Sequence, residues 1–151
     1  MEQEKSKINI AFIARIIMAI LLALIVGLSV FTFFKIRIGA KDALRDAKNI
    51  RMSLRSADIE MYAAGKSIYN PTKKNGVEDG AREKAEQLFI PIGDYKITSY
   101  DPKAHELTGL QYEIGNYIVT FEKKGEAISW DVDYVLRVYS YDDSDDIVNG
   151  D

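Results

Sequence analysis

Residues 16–34 read IIMAILLALIVGLSVFTFF, nineteen consecutive side chains without a charge. At about 1.5 Å of rise per residue, a helix of this length crosses a hydrocarbon layer of roughly 30 Å. Arg15 and Lys35 bracket the run, where long basic side chains reach headgroups while their stems stay in the apolar layer. Only Ser29 and Thr32 are polar within it, and their hydroxyls can bond back to helical carbonyls. Phe33-Phe34-Lys35-Ile36-Arg37 closes the run without a small-x-small cleavage pattern, so the segment is expected to be retained as an anchor rather than removed as a signal peptide. A buried core helix is the competing reading, but nineteen apolar positions would overfill so small a domain.

Within the run Ala19, Ala23 and Gly27 recur at four-residue spacing on one helix face. In lipid, where packing rather than hydrophobicity drives association, such a face lets two helix backbones approach. It is the candidate helix-packing interface, although alanine and glycine are also simply common in membrane helices.

The apolar pattern continues past the membrane run. Ile36, Ala40, Ala43, Ala47, Ile50, Leu54, Ala57 and Met61 alternate steps of four and three, with Leu44 and Tyr62 widening the stripe. That spacing predicts one long amphipathic helix, and between Lys35 and Ala64 no proline interrupts it. Ala64-Gly65 supplies the stop, since glycine readily takes the left-handed conformation. Four of the eight stripe residues are alanine and the flanking charges are loosely ordered, which favours packing on a sheet over a freestanding coiled coil.

Asn70-Pro71 and Asn75-Gly76 mark a loop over residues 66–80. A short amphipathic helix is expected from about Asp79 to Phe89, with Ala81, Ala85, Leu88 and Phe89 available for burial. The period then changes to two. Strands are expected at residues 95–100, 107–114 and 117–123, and in a last segment where Ile128, Trp130, Val132, Tyr134, Leu136 and Val138 face one way. Asp101-Pro102, Gly115-Asn116 and Lys124-Gly125 are the turn signals between them. The expected fold is therefore α+β: a transmembrane helix continuing into a long amphipathic helix packed on a four-stranded antiparallel sheet. Its divisions are a tail at 1–15, the membrane helix at 16–34, a helical extension at 35–65, a small α+β domain at 66–141 and an acidic tail at 142–151.

Charge divides with the architecture. Residues 1–64 hold ten Lys/Arg against six Asp/Glu, and residues 65–151 hold ten against seventeen. An acidic domain is a poor polyanion binder, so no nucleic-acid partner is expected, and the basic half suits lipid headgroups. The chain lacks cysteine, which excludes disulfides, thiolate metal sites and cysteine nucleophiles. His105 is the sole histidine and has no partner for a catalytic dyad or metal site. Gly65-Lys66-Ser67 lacks the upstream glycine of a phosphate-binding loop, Glu60 standing in that place. Asp131 and Asp133 share a strand face, where a solvated surface with Arg137 nearby is the simpler account than acid–base work. Asp142, Asp143, Asp145 and Asp146 lack the glycine and glutamate of a calcium loop and read as a solvated tail. No catalytic, cofactor or metal residues are assigned, no cofactor is expected and no small-molecule substrate is evident.

This order of elements, with the hairpin run LQYEIGNYIVTF from Leu110 and then ISWDV from Ile128, resembles the type IV pilins and the pseudopilins of type II secretion. The chain departs from that family's processing pattern: no glycine precedes Gly27, no glutamate lies between Lys5 and Arg45, and Arg15 sits where an acid would be expected. The resemblance implies a non-enzymatic structural or assembly subunit with an extracytoplasmic domain, whose partners are membrane lipid and other membrane or pilin-like subunits, including copies of itself. The charges offer the alternative. Lys35, Arg37, Lys41, Arg45, Lys48 and Arg51 follow the anchor closely, and the positive-inside rule counted on them places the domain in the cytoplasm as a single-pass adaptor.

Overall fold

The computed structural model describes residues 10–136, which form an α+β fold. Helix α1 spans Ile10–Ala63, α2 spans Asp79–Leu88, and four strands follow: β1 Asp94–Asp101, β2 Glu106–Ile114, β3 Tyr117–Lys124 and β4 Ala127–Tyr134. The chain divides into two units between Ile38 and Gly39.

In the first unit the side chains from Phe12 to Lys35 are all exposed. The two hydroxyls of this stretch are satisfied within the helix: Ser29 Oγ donates to the Ile25 carbonyl and Thr32 Oγ1 to the Leu28 carbonyl, each at 2.8 Å. The helix is long and apolar enough to cross a membrane.

The second unit holds the core. Its sheet is a meander in the order β1-β2-β3-β4, antiparallel throughout. Register aligns two rows of large side chains across it: Ile97, Leu110, Phe121 and Trp130, then Tyr95, Tyr112, Val119 and Val132. From α1 the same core takes Ala43, Ala47, Ile50, Leu54, Ala57 and Met61, all buried, and from α2 it takes Ala81 and Ala85. Ala40 is half-buried. Helix α1 ends in a left-handed cap: Gly65 has φ +71°, its N–H donates to the Tyr62 carbonyl, and the Lys66 N–H donates to that of Met61.

Several details differ from the expectation of a simple alternation. Residues 66–80 contain core: Ile68 and Val77 are buried, Tyr69 bridges Val77, and a 3₁₀ turn at Lys74–Gly76 lies between them. Pairing between β1 and β2 slips at Thr98/Ser99 and again at Thr108/Gly109, so Ile97 and Tyr100 both turn inward, as do Leu110 and Leu107. This crossing needs Gly109, where an added Cβ would lie 2.4 Å from Thr98 Oγ1 and 3.0 Å from the Ser99 nitrogen. Leu88 is 63% exposed, because α2 ends with that residue and turns Phe89 to the core instead. Tyr62 is exposed. Strand β4 ends at Tyr134, short of the expected Leu136, and Ile128, Tyr134 and Leu136 are exposed. Arg137, Val138 and the aspartates of the tail lie outside the described residues.

The packed face of α1 has a direct test, with Trp130, the only tryptophan, as reporter. Leu54→Ala is expected to cost about 2–5 kcal/mol of unfolding free energy, as for other large-to-small core changes. Ile59→Ala, on the exposed face of the same helix, is expected to stay within about 0.5 kcal/mol. Denaturant unfolding followed by fluorescence measures both, and equal effects would contradict this packing.

Candidate functional site

The most featured recess on the domain lies between α1 and the connection from β1 to β2. It encloses about 240 Å³ and is lined by Arg51, Arg55, Asp58, Ala104, His105, Glu106 and Leu107. The helix supplies the first three at steps of four and three, so they share one side of it. The connection supplies His105 through a tight turn. Asp101 Oδ1 accepts the backbone N–H groups of Lys103 at 2.8 Å and Ala104 at 3.2 Å, and His105 then takes a left-handed φ of +49°. The His105 ring lies against that of Tyr62, with centroids 4.2 Å apart.

Asp58 is the buried charge of the site, only 5% exposed. Such a group must be hydrogen-bonded. The Tyr100 hydroxyl donates to Oδ1 at 2.9 Å and approaches Oδ2 at 3.2 Å, and the Ile68 backbone N–H is a further donor. Burial raises the Asp58 pKa above the ordinary carboxylate range, while the Tyr100 hydrogen bond, the His105 charge and the Ile68 N–H pull it back. Tyr100, stacked on Tyr69 with centroids 5.9 Å apart, has its own pKa pushed up to about 12, by burial first and then by Asp58. It is therefore a protonated donor throughout the physiological range.

The other members are disposed differently. Both oxygens of Glu106 accept from Lys123 Nζ. The Arg51 guanidinium lies over the Phe121 ring, 4.3 Å from its centroid. Burial and then the Arg55 charge lower its pKa, with Glu106 acting in the opposite sense. Among the described residues neither Arg51 nor Arg55 forms a salt bridge.

Two further surfaces carry apolar side chains. Met52, Leu88 and Phe89 line a shallow groove where α1 meets the end of α2, and Ile90 and Ile92 follow at 78% and 85% exposure. In the first unit Ala19, Ala23 and Gly27 are exposed, and a Cβ added at Gly27 would meet nothing within 4 Å. Asp131 and Asp133 are exposed on β4. Among the described residues no three His, Asp or Glu side chains group as ligands for a metal.

His105 and Tyr62 stand out in the sequence only as a lone histidine and an apolar-stripe neighbour. Their meeting, and the burial of Asp58, follow from the β1–β2 connection folding over the helix. A carboxylate beside the stripe, four residues after Leu54, is the one signal in the sequence for a buried acid.

Compared with protein-family models, curated proteins and solved structures, the chain gives no match. The reading of the site therefore rests on its own geometry, which makes a pH prediction. A raised folded-state pKa means that the folded protein holds the Asp58 proton more tightly than the unfolded chain, so ionisation on raising the pH costs stability. Asp58→Asn removes that cost. Relative to the wild type, the variant is expected to gain stability as the pH climbs from about 4 towards neutrality. Denaturant unfolding across that range checks it, and a pH-independent difference would contradict the assignment.

Proposed function

We propose that this chain is a single-pass membrane protein whose domain, pilin-like in build, serves as a non-enzymatic structural or assembly subunit through protein–protein contacts. The observation that carries the reading is the helix surface from Phe12 to Phe34, none of which is buried among the described residues. Its nineteen consecutive uncharged residues at 16–34 favour lipid or other apolar helices as its surroundings. Membrane-helix contact is assigned to the face of Ala19, Ala23 and Gly27, where small side chains permit close backbone approach.

The domain adds a second kind of support. Met52, Leu88, Ile90 and Ile92 are large apolar side chains presented to solvent, as expected of surfaces that meet other proteins. The order of a long N-terminal helix, a short helix and a four-stranded meander supports the pilin-like reading and the extracytoplasmic placement that accompanies it. The basic residues from Lys35 to Arg51 favour the opposite placement, with the domain as a cytoplasmic adaptor.

Cysteine chemistry separates the two placements, because the native chain has none. Glu126→Cys puts a thiol at the exposed turn between β3 and β4. Labelling of intact cells by a membrane-impermeant maleimide is expected, and labelling only after lysis would replace the subunit reading with the adaptor. In the same background without the Glu126 change, Ala23→Cys is expected to cross-link between copies under mild oxidation, whereas Ile25→Cys on another face is not. Equal cross-linking would remove the small-residue interface.

A further inference from the structure

The recess beside α1 has two arginines in its lining. Arg51 and Arg55 stand one helical turn apart, a spacing at which like charges repel. Elsewhere on the helices Arg45 and Arg82 have carboxylate partners, with Arg45 near Asp42 and Asp46 and Arg82 near Glu86. Arg51 and Arg55 have none among the described residues, although two acids line the same recess.

Those acids are occupied. Glu106 is held at both oxygens by Lys123, and Asp58 receives the Tyr100 hydroxyl and the Ile68 N–H. With Glu106 held by Lys123, the remaining carboxylate of the lining is Asp58, which is itself buried and hydrogen-bonded to Tyr100. His105 adds an imidazole to the same lining. The recess thus sets two arginines of α1, neither in a salt bridge among the described residues, beside the turn between β1 and β2.

We propose that this recess binds a phosphate group, with Arg51, Arg55 and His105 as its ligands. Two guanidiniums match a phosphate monoester dianion in charge, whereas a single carboxylate would leave one arginine unneutralised. The fork of each guanidinium presents parallel N–H donors to tetrahedral oxygens. The Arg51 plane is steadied by the Phe121 ring beneath it, which lowers the entropy lost on binding. A volume of about 240 Å³ holds a phosphate and several waters, each water taking about 30 Å³. The group comes either from free phosphate in solution or from a phosphomonoester lipid headgroup. The chemistry at the arginines is the same for both, and the proposal depends only on the domain, not on the assembly role.

The single histidine makes the test clean, since its imidazole resonances are unambiguous in the full-length protein. In detergent micelles at fixed pH and ionic strength, inorganic phosphate is expected to shift the His105 signals saturably, while sodium chloride does not. The Arg51→Gln/Arg55→Gln double variant is expected to weaken the apparent affinity by at least about tenfold, the scale of losing a charge-assisted hydrogen bond. Arg55→Lys should retain part of it. Because Arg51 packs on Phe121, Arg55→Gln alone, at an exposed position, keeps the test valid should the double variant unfold. Nanodiscs of phosphatidylcholine with and without phosphatidic acid, free of inorganic phosphate, distinguish the source. A shift with phosphatidic acid assigns the headgroup, and a shift only with free phosphate assigns the soluble anion. No saturable shift in either setting, or the same shift in wild type and Arg55→Gln, overturns the site.

Discussion

Ala43, Ala47 and Ala57 on α1 lie in one core with Tyr95, Tyr112 and Phe121 of the sheet, with Trp130 at its margin. Small side chains on the helix let it come close, and large ones on the strands fill the space that this leaves. Alanine suits both needs, being the best helix former and the smallest side chain with a Cβ. Ile50, Leu54 and Met61 share that core, each large aliphatic side chain contributing about 1.5–3 kcal/mol by leaving water. The rest of the domain follows from this seating. Asp58 is drawn under the β1–β2 connection and must find donors there, and the recess with its two arginines opens beside it.

The same helix carries two compositions. From residue 12 to 34 it is uncharged apart from Arg15 and its side chains are exposed among the described residues, whereas from Ala43 to Met61 one stripe is buried and the charged side chains lie off it. A uniformly apolar surface has no inner and outer face to distinguish, which suits a solvent that is apolar on all sides. A stripe distinguishes them, which suits a domain in water with one face to bury.

Much of this was legible in the residues. The three-and-four spacing along α1, the stop at Ala64-Gly65 and the hairpin at Gly115-Asn116 are local signals, and they coincide with a long helix and an antiparallel meander. What was not legible depends on contacts distant in sequence. Ile68 and Val77 sit among breakers that announce a loop, yet the Asn70 N–H donates to the Gly76 carbonyl and the Glu78 N–H to that of Ile68, holding both side chains inward. The paired slips at Thr98/Ser99 and Thr108/Gly109 break alternation in both strands at once, so neither strand shows the change alone. Burial of Asp58 is set by Tyr100, forty-two positions away. The recess was hidden for the same reason, since its arginines and its histidine come together only when the turn after β1 folds back on the helix.

The central claim is that the run at residues 16–34 resides in a bilayer as a helix, leaving the domain to fold on the stripe that follows. Fractionating cells that express the full-length chain, then extracting the membranes with alkaline carbonate, tests this most directly. The account predicts that the protein stays in the membrane pellet and is released only by detergent. Recovery in the soluble fraction without detergent would contradict it.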